Sequence, residues 1–142
     1  MIDHDLAIAR IQALGLFKSV GSAADAARAM SGQSPLGDGP AAFVVPIADN
    51  PSPPRSEGGP QAAVITFGVL MMVRQASDPS GMGGLEKIQQ LQKSLQSGLL
   101  GWDGLPGFTP VWSAGGRVLE FQPAALWWLE EFSTNTGLAP AF

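Results

Sequence analysis

The clearest periodic pattern in the chain is an apolar stripe that begins near residue 85. The positions between its members are mostly Gln, Lys and Glu. The stripe itself recurs at intervals of three and four residues: Leu85, Ile88, Leu91, Leu95 and Leu99. Because this spacing matches the turn of an α-helix, it predicts an amphipathic helix over Leu85–Leu100 with one face packed on a core.

Capping residues predict two shorter helices closer to the N-terminus. Asp3 can accept a hydrogen bond from the first turn of a helix that runs to about Leu14. Ser22 can do the same for an alanine-rich helix through about Met30, and Asp25 completes a pattern like a capping box.

Alternating apolar and polar positions predict strands between the helices. A brief strand is expected over Leu16–Val20 and a longer one over Ala41–Ala48. Within the longer strand Pro46 lacks an amide donor, which indicates an edge position or a bulge. The segment Gln61–Gln75 is apolar on both faces, as is typical of a central strand or of one partly buried by a neighbouring subunit.

The C-terminal third predicts three more strands. Gly115-Gly116 is a strong two-residue turn signal between Thr109–Ala114 and Arg117–Gln122, so these two segments are expected to form a hairpin. Leu119 is expected to point into the core, and a last strand is expected over Ala125–Asn135.

These elements do not alternate as βαβ units, so they predict an α+β fold in one domain, residues 1–142. We expect an antiparallel or mixed β-sheet of about five to six strands with two to three helices packed on one face. Glycine- and proline-rich composition predicts flexible loops at about residues 49–60 and 76–84.

Composition excludes several classes of protein. The net charge is −4 and the eight basic residues are scattered, so tight sequence-specific DNA binding is not expected. There is no cysteine for a disulfide, a thiol nucleophile or a Cys-based zinc site. The longest apolar run, Ala62–Val73, is about half of the roughly 20 residues that a membrane helix needs. We therefore expect a soluble protein made in a reducing compartment.

Candidate chemistry is sparse. His4 is the sole histidine and lies near a terminus, which is a poor position for a catalytic triad or a metal site. The glycines of Gly81–Gly84 precede a helix but lack the lysine and hydroxyl residue of a phosphate-binding loop. No catalytic, cofactor-binding or metal-ligating residue is predicted, and no cofactor.

The predicted last strand contains two pairs of adjacent like residues, Trp127-Trp128 and Glu130-Glu131. Glu130 and Glu131 point to opposite faces of a strand, so they do not form a paired acid/base site, and we interpret them as solvated or interface charges. Trp127 and Trp128 also face opposite ways. Core and interface roles are favoured over base or sugar stacking, because aromatic residues often anchor interfaces.

The order and spacing of several short segments resemble a known family. They are the N-terminal helix, Val20–Asp25, Ala41–Pro46, Val64–Val69, the Leu85–Leu100 helix with Leu99–Trp102, Gly116–Leu119, Leu126–Trp128 and Glu131-Phe132. Over most of its length the chain is similar to the tail terminator family of long-tailed phages and related gene-transfer particles.

The resemblance implies a structural virion protein without enzymatic activity or cofactor. Members form a ring, usually a hexamer, that caps the head-proximal end of the tail tube, stops its polymerisation and contacts the head connector. DNA would pass through the ring without sequence-specific binding. The implied location is the virion tail or neck, after assembly in the host bacterial cytoplasm, with no membrane association.

Two sets of candidate contact residues follow. For contacts to tube or connector subunits the loops offer Arg55, Glu57, Asp78 and Met82. For the subunit interface or the core the candidates are Met72, Arg74, Trp102, Trp127 and Trp128.

Two alternatives stay open at this point. Another neck component, such as a head–tail connector or tail completion protein, also forms rings and has similar patterns. A small-ligand-binding or enzymatic α+β domain with tryptophans lining a pocket is the alternative from a different class.

Overall fold

The computed structural model describes residues 1–31, 39–74, 82–121 and 125–138. Within these ranges the chain forms three helices and five strands. In chain order they are α1 (His4–Leu14), β1 (Ser19–Gly21), α2 (Ala23–Met30), β2 (Ala41–Pro51), β3 (Gln61–Arg74), α3 (Met82–Leu99), β4 (Trp112–Phe121) and β5 (Ala125–Leu138). The predicted α+β class is confirmed.

The strands form one mixed sheet in the order β1-β2-β3-β5-β4. β1 is parallel to β2, and each of the other neighbouring pairs is antiparallel. β3 and β5 pair along their full lengths at the centre, from Gln61 opposite Leu138 to Arg74 opposite Ala125. This long central pairing explains why β3 is apolar on both faces, since neither face of a central strand is automatically solvent-exposed.

The first face of the sheet, which carries Phe67, Val69 and Phe132, is covered by α1 and α3. Phe67 and Phe132 lie opposite each other on β3 and β5, are fully buried, and stack with ring centroids 5.8 Å apart. The stripe residues Ile88, Leu91, Leu95 and Leu99 of α3 are buried in the same core, as the helical spacing predicts.

The second face, which carries Leu70, Met72 and Trp127, has a smaller core. Ala26 of α2 packs there, on the opposite side of the sheet from α1 and α3. The predicted packing of the helices on one face therefore holds for α1 and α3 but not for α2. The physical reason is that α2 connects two parallel neighbouring strands, β1 and β2, and such a crossover must pass over one face of the sheet.

The helix boundaries follow the capping residues closely. The Asp3 carboxylate accepts a hydrogen bond from the Asp5 amide, and Gly15 ends α1 with a positive φ of 69°. Ser22 and Asp25 form a reciprocal capping box at the start of α2. In contrast, α3 begins at Met82 rather than Leu85, so the predicted loop over residues 76–84 is wrong for its last three residues; residues 76–81 lie outside the described ranges.

Replacing Ser22 with alanine tests the capping box. The Ser22 hydroxyl accepts from the Asp25 amide at 3.3 Å and donates to the Asp25 carboxylate at 3.1 Å. Loss of an N-cap serine costs about 1 kcal/mol, so we expect Ser22→Ala to lower the free energy of unfolding by about that amount at neutral pH. Urea denaturation followed by circular dichroism measures it, and an unchanged midpoint would show that the cap is dispensable.

The loss of unfolding free energy caused by Ser22→Ala should be smaller in acid. Hydrogen bonds from the Ser22 amide and then the Ser22 hydroxyl, helped by Arg28, lower the pKa of Asp25 below its ordinary value of 3.8. A lowered pKa adds stability that is complete above the unfolded-state value and is lost as the pH falls through the folded-state value. The difference between wild type and Ser22→Ala should therefore narrow below about pH 4.

β2 corrects one prediction and confirms another. β2 continues through Asp49 to Pro51 and pairs with β3 there, so the connection between them is shorter than the predicted loop over residues 49–60. The edge position or bulge predicted at Pro46 is confirmed as a bulge, by a register shift between Pro46 and Ala48. This part of β2 also has an open outer side, because β1 reaches only Ala41–Phe43.

The predicted hairpin at Gly115-Gly116 is wrong. β4 continues through both glycines as one strand. It pairs with β5 before, at and after them. Gly115 has a φ of 103° and follows a register shift after Ser113, so its positive φ serves a β-bulge rather than a turn. A glycine pair permits a chain reversal, but the continuous partner strand β5 decides whether it occurs.

Candidate assembly surface

The outer edge of β4 is open in the described part of the chain. β4 is the last strand in the sheet order, and every residue from Trp112 to Leu119 is exposed. Three of them are large apolar side chains: Trp112, Val118 and Leu119 are 39%, 50% and 44% exposed. The expectation that Leu119 points into the core is therefore wrong. It lies at a second register shift, between Val118 and Glu120, which turns it away from the core.

Part of the second face, away from α2, is also uncovered by the described residues. In β3, Val64 is 36% exposed, whereas Leu70 and Met72, nearer α2, are buried. Ile47 of β2, 38% exposed, lies near Gly68, where an added Cβ would meet its Cδ1 at 3.1 Å. We call the surface that carries Val64 and Trp112 the open face. Ile47 is not included in it, because it belongs to β2, which β3 and β5 separate from β4. Half-exposed apolar side chains grouped on a sheet are typical of a contact surface.

A polar pair lies between the edge and the open face. Arg117 donates from Nη1 to Glu131 Oε1 at 2.8 Å, and the two side chains are 59% and 16% exposed. An ion pair with one partner this exposed contributes at most about 1 kcal/mol to stability.

Directly behind the edge, Glu130 is fully buried on the first face. Its carboxylate accepts from Gln92 Nε2 at 2.9 Å, Gln96 Nε2 at 3.0 Å and Trp128 Nε1 at 2.8 Å. The interpretation of Glu130 as a solvated or interface charge is therefore wrong. Two glutamines one turn apart on α3 replace water as its donors, so the cluster fixes α3 over β5.

The cluster also explains a glycine in β4. Gly116 lies opposite Glu130 in the register, and an added Cβ would come too close to Glu130 Oε2 and to Trp128 Nε1. Position 116 must therefore lack a side chain for β4 to approach β5. β4 therefore contacts the buried Glu130 cluster through its pairing with β5, and its opposite side is the exposed edge.

The connection between β2 and β3 forms a separate surface. Arg55 and Glu57 are exposed there, and Arg55 lines an open cleft of about 650 Å³ together with Ser52, Pro60, Gln61 and Thr136. Gln61 Nε2 donates to the Ser52 carbonyl at 3.1 Å, which closes the base of the connection. The contact role predicted for Arg55 and Glu57 stays a prediction.

The other predicted candidates lie in different places. Met72 and Trp127 are buried on the second face, whereas Trp128 and Trp102 are half-buried against the first-face core. Arg74 is exposed at the end of β3, Met82 is the first residue of α3, and Asp78 lies outside the described residues. They therefore do not form one site.

Sequence reasoning missed the apolar residues of the edge and the open face. Alternation along a strand does not reveal whether the strand is at an edge, so the sequence predicts Leu119 in the core and gives no surface role to Trp112, Val118, Ile47 and Val64. The register shifts around Gly115 and Leu119 removed the period-two signal that would have shown which side chains face solvent.

The described residues contain no group of three or more His, Asp or Glu side chains that could hold a metal ion. None of the helices in the described ranges is long and apolar enough to cross a membrane.

Comparison with known proteins supplies the family. No curated protein matches the chain. The model of the phage tail terminator protein family matches residues 1–139, nearly the full length. The match covers all three helices and all five strands, including the exposed edge of β4 and the buried Glu130 cluster. The chain therefore belongs to the phage tail terminator protein family and is a structural component of a phage tail.

Proposed function

We propose that the protein forms a ring of six subunits that caps the head-proximal end of the tail tube, ends tube polymerisation and joins the tail to the head connector. The observation that carries this proposal is the family match over residues 1–139. The open edge and open face support it, since a ring subunit needs contact surfaces that its own chain leaves uncovered.

The charge distribution fits a channel for DNA. The net charge is −4 and the basic residues are dispersed, so phosphate neutralisation would be weak. DNA would pass through the ring without sequence-specific binding. The protein would act by assembly alone, without catalysis or a cofactor.

The role is tested by adding the purified protein to polymerising tail-tube subunits. We expect electron microscopy to show tubes that shorten as its concentration rises, with a ring at one end of each tube. A ring at one end is required because the two ends of a tube built from head-to-tail rings differ. Light scattering on the separated protein gives the mass of the ring.

The same experiment separates the alternatives. Tubes of unchanged length, with binding only to connector subunits, would contradict termination and favour another neck protein. A monomer that ignores both tube and connector subunits would contradict an assembly role.

A further inference from the structure

The edge of β4 has the chemistry of a strand-binding site. No strand pairs with its outer side among the described residues, and no proline or lysine occurs from Trp112 to Phe121 to discourage pairing. The two register shifts leave Gly115–Val118 as the regular stretch. An added Cβ at Gly115 would meet nothing within 4 Å, so another backbone can approach closely there.

The area that the edge can bury indicates what kind of partner fits it. A ten-residue strand is about 33 Å long, and a sheet is about 10 Å thick, so the edge alone offers a footprint of about 300 Å². A stable interface needs about 800 Å² on each partner. The partner must therefore cover the open face as well, which a folded subunit can do and a short peptide cannot.

The opposite side of the sheet provides a matching surface. Beyond the three residues paired with β1, the outer side of β2 from Val45 to Pro51 has no strand beside it among the described residues. Pro46 and Pro51 lack N–H groups, so this margin has fewer donors but keeps its carbonyl acceptors. β4 offers amides without proline, and Ile47 offers an apolar side chain to meet Val118 or Leu119.

We propose that the β4 edge and open face of one copy bind the outer margin of β2, Val45–Pro51, in the next copy. The two surfaces differ, so the contact is head-to-tail and can close into a ring. This inference rests on the proposed ring and names the surfaces that build it.

Three variants test the contact. The edge variant carries Val118→Lys and Leu119→Lys, the margin variant carries Ile47→Lys, and the control carries Leu100→Lys, at a residue 46% exposed outside both surfaces. The replaced side chains are 38–50% exposed, so the fold should survive, and thermal unfolding verifies this. Light scattering with and without tube subunits measures assembly.

We expect the control to assemble like wild type, whereas the edge and margin variants stay monomeric. An uncompensated lysine in a contact should raise the concentration needed for assembly at least about 10-fold. An equimolar mixture of the two variants retains one intact contact per pair. It should therefore give dimers and no rings.

Three results would overturn the inference. Rings formed by a folded edge variant at wild-type concentrations would remove β4 from the contact while leaving the proposed function intact. A mixture that stays monomeric would contradict the head-to-tail pairing of β4 with β2. A wild-type protein that never assembles, even with tube subunits, would overturn the ring itself and this contact with it.

Discussion

Replacing Glu130 with alanine is expected to lower the free energy of unfolding by about 3 kcal/mol. The change removes the shared acceptor of Gln92, Gln96 and Trp128. A buried donor left without an acceptor costs about 1–3 kcal/mol, and the half-buried glutamines recover part of this by reaching water. Urea denaturation followed by tryptophan fluorescence measures the change.

The adjacent carboxylate is a matched control. Glu131 forms an ion pair with the exposed Arg117, so Glu131→Ala should cost about 1 kcal/mol or less. Glu130→Gln should fall between the two, because the amide keeps one acceptor oxygen but presents its NH2 to neighbouring donors. Equal losses for Glu130→Ala and Glu131→Ala would show that the cluster does not stabilise the packing of α3 on β5.

Truncation of Trp127 should cost about 3–5 kcal/mol, the range for a large buried aromatic replaced by alanine. Trp127 is 4% exposed and stacks on Phe43 with ring centroids 6.1 Å apart, between β5 and β2 on the second face. Its loss would leave a cavity bounded by Phe43 and Met72. The melting temperature should fall by about 6–20 °C, at roughly 2–4 °C per kcal/mol for a chain of this size.

Trp112 provides the control for this substitution. It is 39% exposed at the β4 edge, so Trp112→Ala should change stability by less than about 1 kcal/mol and affect assembly instead. The alternative of a ligand pocket lined by tryptophans makes the opposite prediction. It predicts saturable binding of a small molecule and its loss when Trp127 or Trp128 is truncated.

Local chemistry determined much of the fold in advance. The caps at Asp3 and Ser22 start α1 and α2 where expected, because a capping side chain bonds to amides only two or three residues away. The stripe of α3 is buried from Ile88 to Leu99 as the pattern predicts, whereas its first member, Leu85, is exposed. The apolar residues on both faces of β3 are also buried, except Ala62 and Val64. These features depend on neighbours in sequence.

The contact surface depends on neighbours in space, and the sequence did not reveal it. Gly115-Gly116 is compatible with a hairpin turn and with a bulge. The bulge forms because the segments before and after the glycines both pair with β5. In the sequence Glu130 is indistinguishable from a surface charge. In the fold α3 places Gln92 and Gln96 against its carboxylate, and both donate hydrogen bonds to it.

The family and the fold class were therefore readable from the sequence, since order, periodicity and caps are local properties of a chain. Which strand lies at an open edge, which apolar residues it exposes and which carboxylate is buried were decided only by the tertiary structure. The physical reason is that exposure of a strand residue depends on the sheet order and register, and these are set by pairings between segments far apart in the chain.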